Sequence, residues 1–162
     1  METNSRGTLA VVLSNPPLTD GQRTLHRVQL AAALLGFEET TVANIFSLPS
    51  HSTRGISTLG TTEDGWIAAR APLLASFDVS AGVLLAYGAT APTGPARHNF
   101  RAQVDWVHVQ LRARVLPTWR VGDGPRHPSR WQRWTFRAHP NLPFPDALRA
   151  SLVRDPVGEA RR

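Results

Sequence analysis

Three short segments rich in apolar and β-branched residues constrain the fold of this chain most. They span residues 8–13, 40–46 and 81–87, and each is followed by a turn or a polar stretch. Such segments are typical of strands that are covered on both faces of a parallel sheet. Helices are predicted between them, over residues 20–35, where apolar residues recur at 3.6-residue spacing, and over residues 62–77.

The second half of the chain predicts one more strand. The residues from Arg97 onward fit both helical and strand periodicity, and a crossover between parallel strands requires a helix. We therefore expect a helix that ends near Arg112, a fourth strand over Val115–Trp119, and a short terminal helix over residues 146–153. Together these elements predict an α/β fold, a three-layer α/β/α sandwich with a four-stranded, mainly parallel sheet.

The length of 162 residues leaves room for one domain. We expect that domain over residues 8–153, a disordered N-terminus over residues 1–7, and a loose C-terminal tail over residues 154–162. No apolar run approaches the roughly 20 residues of a membrane span, and the first seven residues are polar. We therefore expect a cytoplasmic protein that is a monomer and has no membrane partner.

The charged residues exclude several chemistries. All 18 basic residues are Arg, against 12 acidic residues, and there is no Lys and no Cys. A lysine imine, a cysteine nucleophile and a thiolate metal site are therefore excluded. Two interpretations of the Arg excess stay open: a codon bias of a GC-rich genome, or a surface that binds phosphates through bidentate guanidinium groups.

Motifs for metals and cofactors are missing as well. The six His residues do not have the spacing of metal ligands. The sequence contains neither a Walker motif nor a glycine-rich dinucleotide motif after the first strand, and it contains no nucleophile elbow. We therefore expect no metal and no cofactor.

Polar residues follow the predicted strands at the points where each strand ends. Asn15 follows the first strand, Asn44 lies within the second, Tyr87 ends the third, and His127 follows the fourth after a glycine-rich loop. The carboxyl ends of parallel strands meet at one edge of a sheet, where ligands bind in open α/β folds. These four positions are therefore expected to surround one pocket.

The ordered set of motifs resembles a bacterial family, domain of unknown function 1643, over about residues 8–130. The motifs are Asn15-Pro16-Pro17-Leu18-Thr19-Asp20, Asn44-Ile45-Phe46-Ser47, Tyr87-Gly88 and Gly124-Pro125-Arg126-His127-Pro128. More remotely, the chain resembles the uracil-DNA glycosylase superfamily, in which an Asn strand, a Leu-Leu-x-x-Gly strand end and a His-Pro-Ser loop occur in the same order. Val83 to Ala89 and His127-Pro128-Ser129 carry that likeness.

The glycosylase resemblance implies catalytic roles for Asn15 and His127 and a base-binding role for Asn44. Asn15 would position a water molecule, His127 would donate to the departing base, and Asn44 would bind the base edge. Asp20 is an alternative general base. For each residue a purely structural role stays open: a turn cap for Asn15, a surface loop position for His127, internal pairing for Asn44, and a helix N-cap for Asp20.

Further binding residues follow from the same resemblance. Phe46 is the nearest candidate to stack on the base, and Tyr87 is a second base-binding candidate. Aromatic side chains stack on bases while Arg binds phosphates, so the segment after the fourth strand is a candidate nucleic-acid surface. Its proposed contacts are Arg126, Ser129, Arg130, Trp131 and Arg133. The alternative is that the Trp residues of this segment close the core.

These expectations lead to a nucleobase-recognising protein, with hydrolysis of an N-glycosidic bond in a nucleic acid or nucleoside as its specific activity. Two alternatives remain open. One is a non-catalytic protein that binds nucleic acid or nucleotides on the same scaffold. The other is a pathway enzyme that acts on a nucleoside-like metabolite.

Overall fold

A computed structural model of the chain describes residues 6–50 and 53–159, which form a five-stranded sheet and seven α-helices. The strands span Thr8–Leu13 (β1), Glu39–Asn44 (β2), Gly82–Leu85 (β3), Thr118–Val121 (β4) and Leu152–Asp155 (β5). The helices span Gln22–Leu34 (α1), Thr53–Leu59 (α2), Asp64–Ala68 (α3), Arg70–Asp78 (α4), Pro95–Arg114 (α5), Trp131–Ala138 (α6) and Phe144–Ser151 (α7). The expectations for residues 1–5 and 160–162 lie outside the described residues.

The sheet has the strand order β2-β1-β3-β4-β5. The first four strands are parallel to their neighbours, and the last pairs antiparallel with β4. The predicted α/β class and the mainly parallel sheet are therefore confirmed. The predicted number of strands, four, is wrong because the described chain adds β5 at the edge.

The fifth strand occupies residues that were expected to end a helix and begin a loose tail. Helix α7 ends at Ser151, and the chain then turns onto the sheet, where Arg154 pairs with Trp119. Asp155 accepts a charged hydrogen bond of 3.0 Å from Arg120 on β4. The strand has four residues and no apolar alternation, so only its pairing with β4 identifies it.

Alternate residues of the central strands pack into two separate apolar clusters, one on each face of the sheet. In one cluster, Val12 and Leu85 contact residues of α2 to α5. In the other, Val11 and Leu84 contact residues of α1, α6 and α7. Helices therefore cover both faces, which explains why β1 and β3 carry apolar residues at successive positions.

Other differences from the sequence prediction are local. Strand β1 has the predicted bounds, but the predicted loop after β2 contains α2, and the predicted helix over residues 62–77 is divided at Ala69 into α3 and α4. Strand β4 begins at Thr118 because Val115 adopts a left-handed conformation, φ 52°, that ends α5. Among the described helices, none combines the length and apolarity needed to cross a bilayer.

Candidate functional site

The strand order creates a crevice between the loops that follow β1 and β3. The chain leaves β1 toward α1 on one face of the sheet and leaves β3 toward α5 on the other. Diverging loops of this kind form the ligand-binding crevice of open α/β sheets. Here they enclose a cleft of about 900 Å³, whose other wall is the segment from Arg126 to Arg137.

Most of the predicted site residues line this cleft. The structure brings together there Asn15, Asp20, Asn44, Tyr87, Arg126, His127, Ser129, Arg130 and Arg133. The polar residues predicted to meet at the carboxyl ends of the strands therefore lie around one cleft.

Asn15 is held by the loop that follows β2. Its side-chain amide donates to the Leu48 carbonyl at 3.0 Å and to the Ser50 hydroxyl at 2.8 Å. Both amide hydrogens are committed by these bonds, so the group Asn15 can offer to a ligand is its oxygen, which is an acceptor. The side chain therefore has a defined orientation at the cleft wall.

Asn44 lies at the end of β2, opposite Leu13 of β1. Its Oδ1 is buried and has no hydrogen-bond partner among the described residues. A buried amide oxygen without a partner costs about 1–3 kcal/mol, and most buried polar atoms in proteins are paired. The oxygen is therefore not paired within the described part of the chain, and the Asn44 side chain lines the cleft.

His127 is fixed in one tautomer by its own loop. Its Nδ1 accepts the backbone N–H of Ser129 at 3.2 Å and lies 2.9 Å from the Ser129 hydroxyl. A backbone N–H can only donate, so Nδ1 is unprotonated and the neutral ring carries its hydrogen on Nε2. Burial, together with the charges of Arg130 and Arg27, lowers the pKa of His127 below its ordinary value of 6.5. The ring is therefore a neutral donor at physiological pH.

Tyr87 forms the floor of the cleft at the end of β3. It is buried, and its ring meets that of Phe100 edge-on at 6.0 Å. Burial raises the pKa of the Tyr87 hydroxyl well above its ordinary value, with smaller contributions from Asp155 and Asp105. The next residue, Gly88, donates to the Pro125 carbonyl, which ties this loop to the segment that carries His127.

Asp20 lies at the entrance to α1. Its carboxylate accepts the backbone N–H of Gln22 at 3.2 Å and is exposed to solvent. This i to i+2 bond is an Asx turn before the helix, and Gly21 occupies the N-cap position, so the N-cap role predicted for Asp20 is wrong. The same carboxylate lines the cleft and can accept a proton there.

The wall formed by α6 and the turn before it is cationic. Arg126 pairs with Asp123 at 2.8 Å and lies 5.5 Å from the ring of Trp134. Arg130, Arg133 and Arg137 line the same cleft and have no ion pair within the described part of the chain. These three guanidinium groups are therefore available to an anion.

Two predicted contacts are wrong because their side chains belong to the core. Phe46 is fully buried, 4.7 Å from the ring of Trp66, and Gly65 packs directly against it. Trp131 is fully buried between α6 and the sheet, and its indole N–H donates to the Arg126 carbonyl at 2.8 Å. Neither ring can stack on a base from these positions. For Trp131 the alternative, closure of the core, is the one observed.

Several residues of the cleft were not among the individual contacts predicted from the sequence, although Trp134 and Arg137 belong to the segment predicted as a nucleic-acid surface. Trp134 and Arg137 follow Arg130 at helical spacing, so the amphipathic pattern of α6 could have identified them. Ser50, which receives a hydrogen bond from Asn15, lies in a loop with no sequence signal for this contact. In the described ranges, no group of three His, Asp or Glu side chains has a geometry suited to a metal ion.

Comparison of the chain with protein-family models, with curated proteins and with solved structures finds no significant match.

Proposed function

We propose that this protein recognises a nucleobase in the cleft and hydrolyses the N-glycosidic bond that joins the base to its sugar, in a nucleic acid or a nucleoside. The observation that carries the proposal is the Asn44 amide, which lines the cleft at a strand end and whose buried oxygen has no partner among the described residues. An amide offers a donor and an acceptor side by side, which complements the edge of a base.

The proposed reaction needs few groups. A water molecule attacks the anomeric carbon of the sugar, the bond from that carbon to the base nitrogen breaks, and its electron pair passes to the base. The Nε2 hydrogen of His127 stabilises the negative charge on the base oxygen. The oxygen of Asn15 accepts a hydrogen of the attacking water, whose proton passes to solvent or to Asp20.

The resemblance to two protein families is part of the same proposal. Four motifs that resemble domain of unknown function 1643, and more remotely the uracil-DNA glycosylases, contribute Asn15, Asn44, Tyr87 and His127 to one cleft. A glycosylase-like three-layer sandwich is supported by the parallel order β2-β1-β3-β4 and by helices on both faces.

The test is a base-release assay on oligonucleotides and free nucleosides that contain uracil, hypoxanthine or a normal base. We expect release by the wild-type protein, at least a 100-fold lower rate for His127→Ala, and a similar loss for Asn44→Ala. His98→Ala and Asn141→Ala are matched controls, because both residues are exposed and lie outside the cleft. No release from any of these substrates at enzyme excess would contradict the proposed hydrolysis.

One observation favours binding without hydrolysis as a second candidate. Both donors of Asn15 are bound to the neighbouring loop, and an amide does not take up a proton as a carboxylate does. The second candidate predicts that the protein binds nucleosides or nucleic acid, that Asn44→Ala weakens this binding, and that no base is released.

A further inference from the structure

A second, smaller hollow adjoins the cleft on the outer side of α6. It is shallow and open to solvent, with a volume of about 420 Å³, and is lined by Arg27, Ser129, Gln132, Arg133 and Phe136. Ser129 and Arg133 line the cleft as well, so the two hollows are contiguous. A ligand that leaves the cleft past Arg133 would enter this second hollow.

Phe136 gives the second hollow an open aromatic surface. Its side chain is 65% exposed, whereas Trp131 and Thr135 of the same helix are buried against the sheet. Phe136 lies about 140° around α6 from Trp131, so it cannot join the core without displacing that face of the helix. A flat apolar ring next to guanidinium groups is the combination that binds an unpaired base and its phosphate.

The charge of the second hollow is positive. Arg27 donates to the Pro128 carbonyl and to the Gln132 side chain, both neutral acceptors, at 3.3 and 3.5 Å. Arg133 has no ion pair within the described chain, and no carboxylate lines this hollow. The two guanidinium charges are therefore not neutralised internally.

We propose that the second hollow binds the neighbouring nucleotide of a single-stranded polynucleotide whose target base occupies the cleft. The base of that neighbour stacks on Phe136, and its phosphate lies between Arg27 and Arg133. A paired base offers no free face to Phe136, which favours a single strand over a duplex. This inference rests on the proposed function for the occupant of the cleft and extends it from a nucleoside to a polymer.

The experiment measures the binding of labelled 12-residue oligothymidylate and oligouridylate by fluorescence anisotropy, with a thymidine monophosphate competitor and a duplex of the same length. We expect Phe136→Ala to weaken binding of a single strand on the order of 10-fold. Arg133→Gln is expected to lower the slope of log affinity against log salt by about 0.7. Comparison of the two oligonucleotides determines whether the strand is DNA or RNA.

Val79→Ala and Arg101→Gln are the matched controls. Val79 is 67% exposed, Arg101 is exposed on α5, and neither lines a hollow. Both controls are expected to bind the oligonucleotides as the wild-type protein does. A circular dichroism spectrum of each variant shows whether it is folded, and Phe136→Leu replaces Phe136→Ala if the latter is not.

The outcomes separate this inference from the proposed hydrolysis. The inference is overturned if folded Phe136 and Arg133 variants bind the oligonucleotide with wild-type affinity. It is also overturned if the monophosphate competes as well as the oligonucleotide does. Both statements hold even if bases are released. Tighter binding of the duplex than of the single strand overturns it too. A 10-fold loss in Phe136→Ala supports the inference even if the wild-type protein releases no base.

Discussion

Two amide side chains meet the same end of strand β2 and differ in what they contact. Gln103 of α5 is fully buried, and its amide donates to the Ile45 carbonyl at 2.9 Å and to the Trp66 carbonyl at 2.7 Å. Its oxygen accepts from Arg70 at 3.0 Å. Asn44, the residue before Ile45, differs because its buried oxygen has no partner among the described residues.

The two amides differ in how far their hydrogen-bonding groups are used within the protein. A buried amide with every partner in place joins the elements around it, here β2, α3, α4 and α5. A buried amide oxygen without a partner lowers stability, so it requires an explanation other than the packing of the fold. Gln103 thus holds the strand end in place, whereas the Asn44 side chain lines the cleft.

The largest effect is expected from Gln103→Leu. This change leaves the Ile45 carbonyl and the Arg70 guanidinium without their amide partner and removes one of the two donors to the Trp66 carbonyl. It should lower the free energy of unfolding by about 2–4 kcal/mol. Urea unfolding measures it, with Gln29→Leu on the exposed side of α1 as the control. A loss below about 1 kcal/mol would show that the Gln103 bonds are not essential to the fold.

Asn44→Ala should give the opposite pattern. Removal of an oxygen without a partner relieves a cost that offsets the lost packing of the side chain, so the free energy of unfolding should change by less than about 1 kcal/mol. Nucleoside binding should fall about 10-fold or more, since the ligand then loses its partner amide. Calorimetric titration and urea unfolding of the same preparation test both statements. A large loss of stability with unchanged binding would mean that Asn44 is structural after all.

Asn15 is an intermediate case, with its donors bound and its oxygen oriented. Asn15→Ala removes the bonds to Leu48 and Ser50, which are partly exposed, so we expect a loss of about 1 kcal/mol in stability. Base release should be abolished while nucleoside binding is nearly retained. Equal losses of binding and release would place Asn15 in recognition rather than in the chemical step.

The smallest effect is expected from pH. The pKa of His127 is lowered in the folded protein, so below the ordinary value of 6.5 the unfolded chain takes up more protons than the folded one. The contribution of His127 to the free energy of unfolding is therefore fully present above pH 6.5. It falls as the pH decreases toward the pKa of His127 in the folded protein. Base release should persist below pH 6.5 and fall only when His127 itself is protonated.

Urea unfolding between about pH 5 and 8 measures the stability effect, and the difference between wild type and His127→Gln isolates this residue. The comparison with the variant is necessary because burial lowers the pKa of His108 as well. The titration of His108 gives a pH dependence of stability with the same sign. An identical pH dependence in the variant would show that His127 does not contribute.

Much of the fold and of the cleft followed from local sequence. The apolar run of residues 8–13, stopped by Asn15 and two prolines, determines β1 because a strand buried on both faces needs such a run. The convergence of Asn15, Asn44, Tyr87 and His127 followed from the rule that parallel strands end at one edge. Both inferences depend only on periodicity and chain direction.

Other features depend on contacts between distant parts of the chain. Strand β5 exists because β4 offers an unpaired edge, and Gln103 finds its carbonyls 37 and 58 residues away. Helix α6 carries Trp131 and Phe136 among arginines, and its sequence alone does not show which ring faces the sheet. The sequence by itself determined the class of fold and the strand ends that form the cleft. Only the tertiary structure decided which side chains are buried, because burial depends on the surface that each element meets.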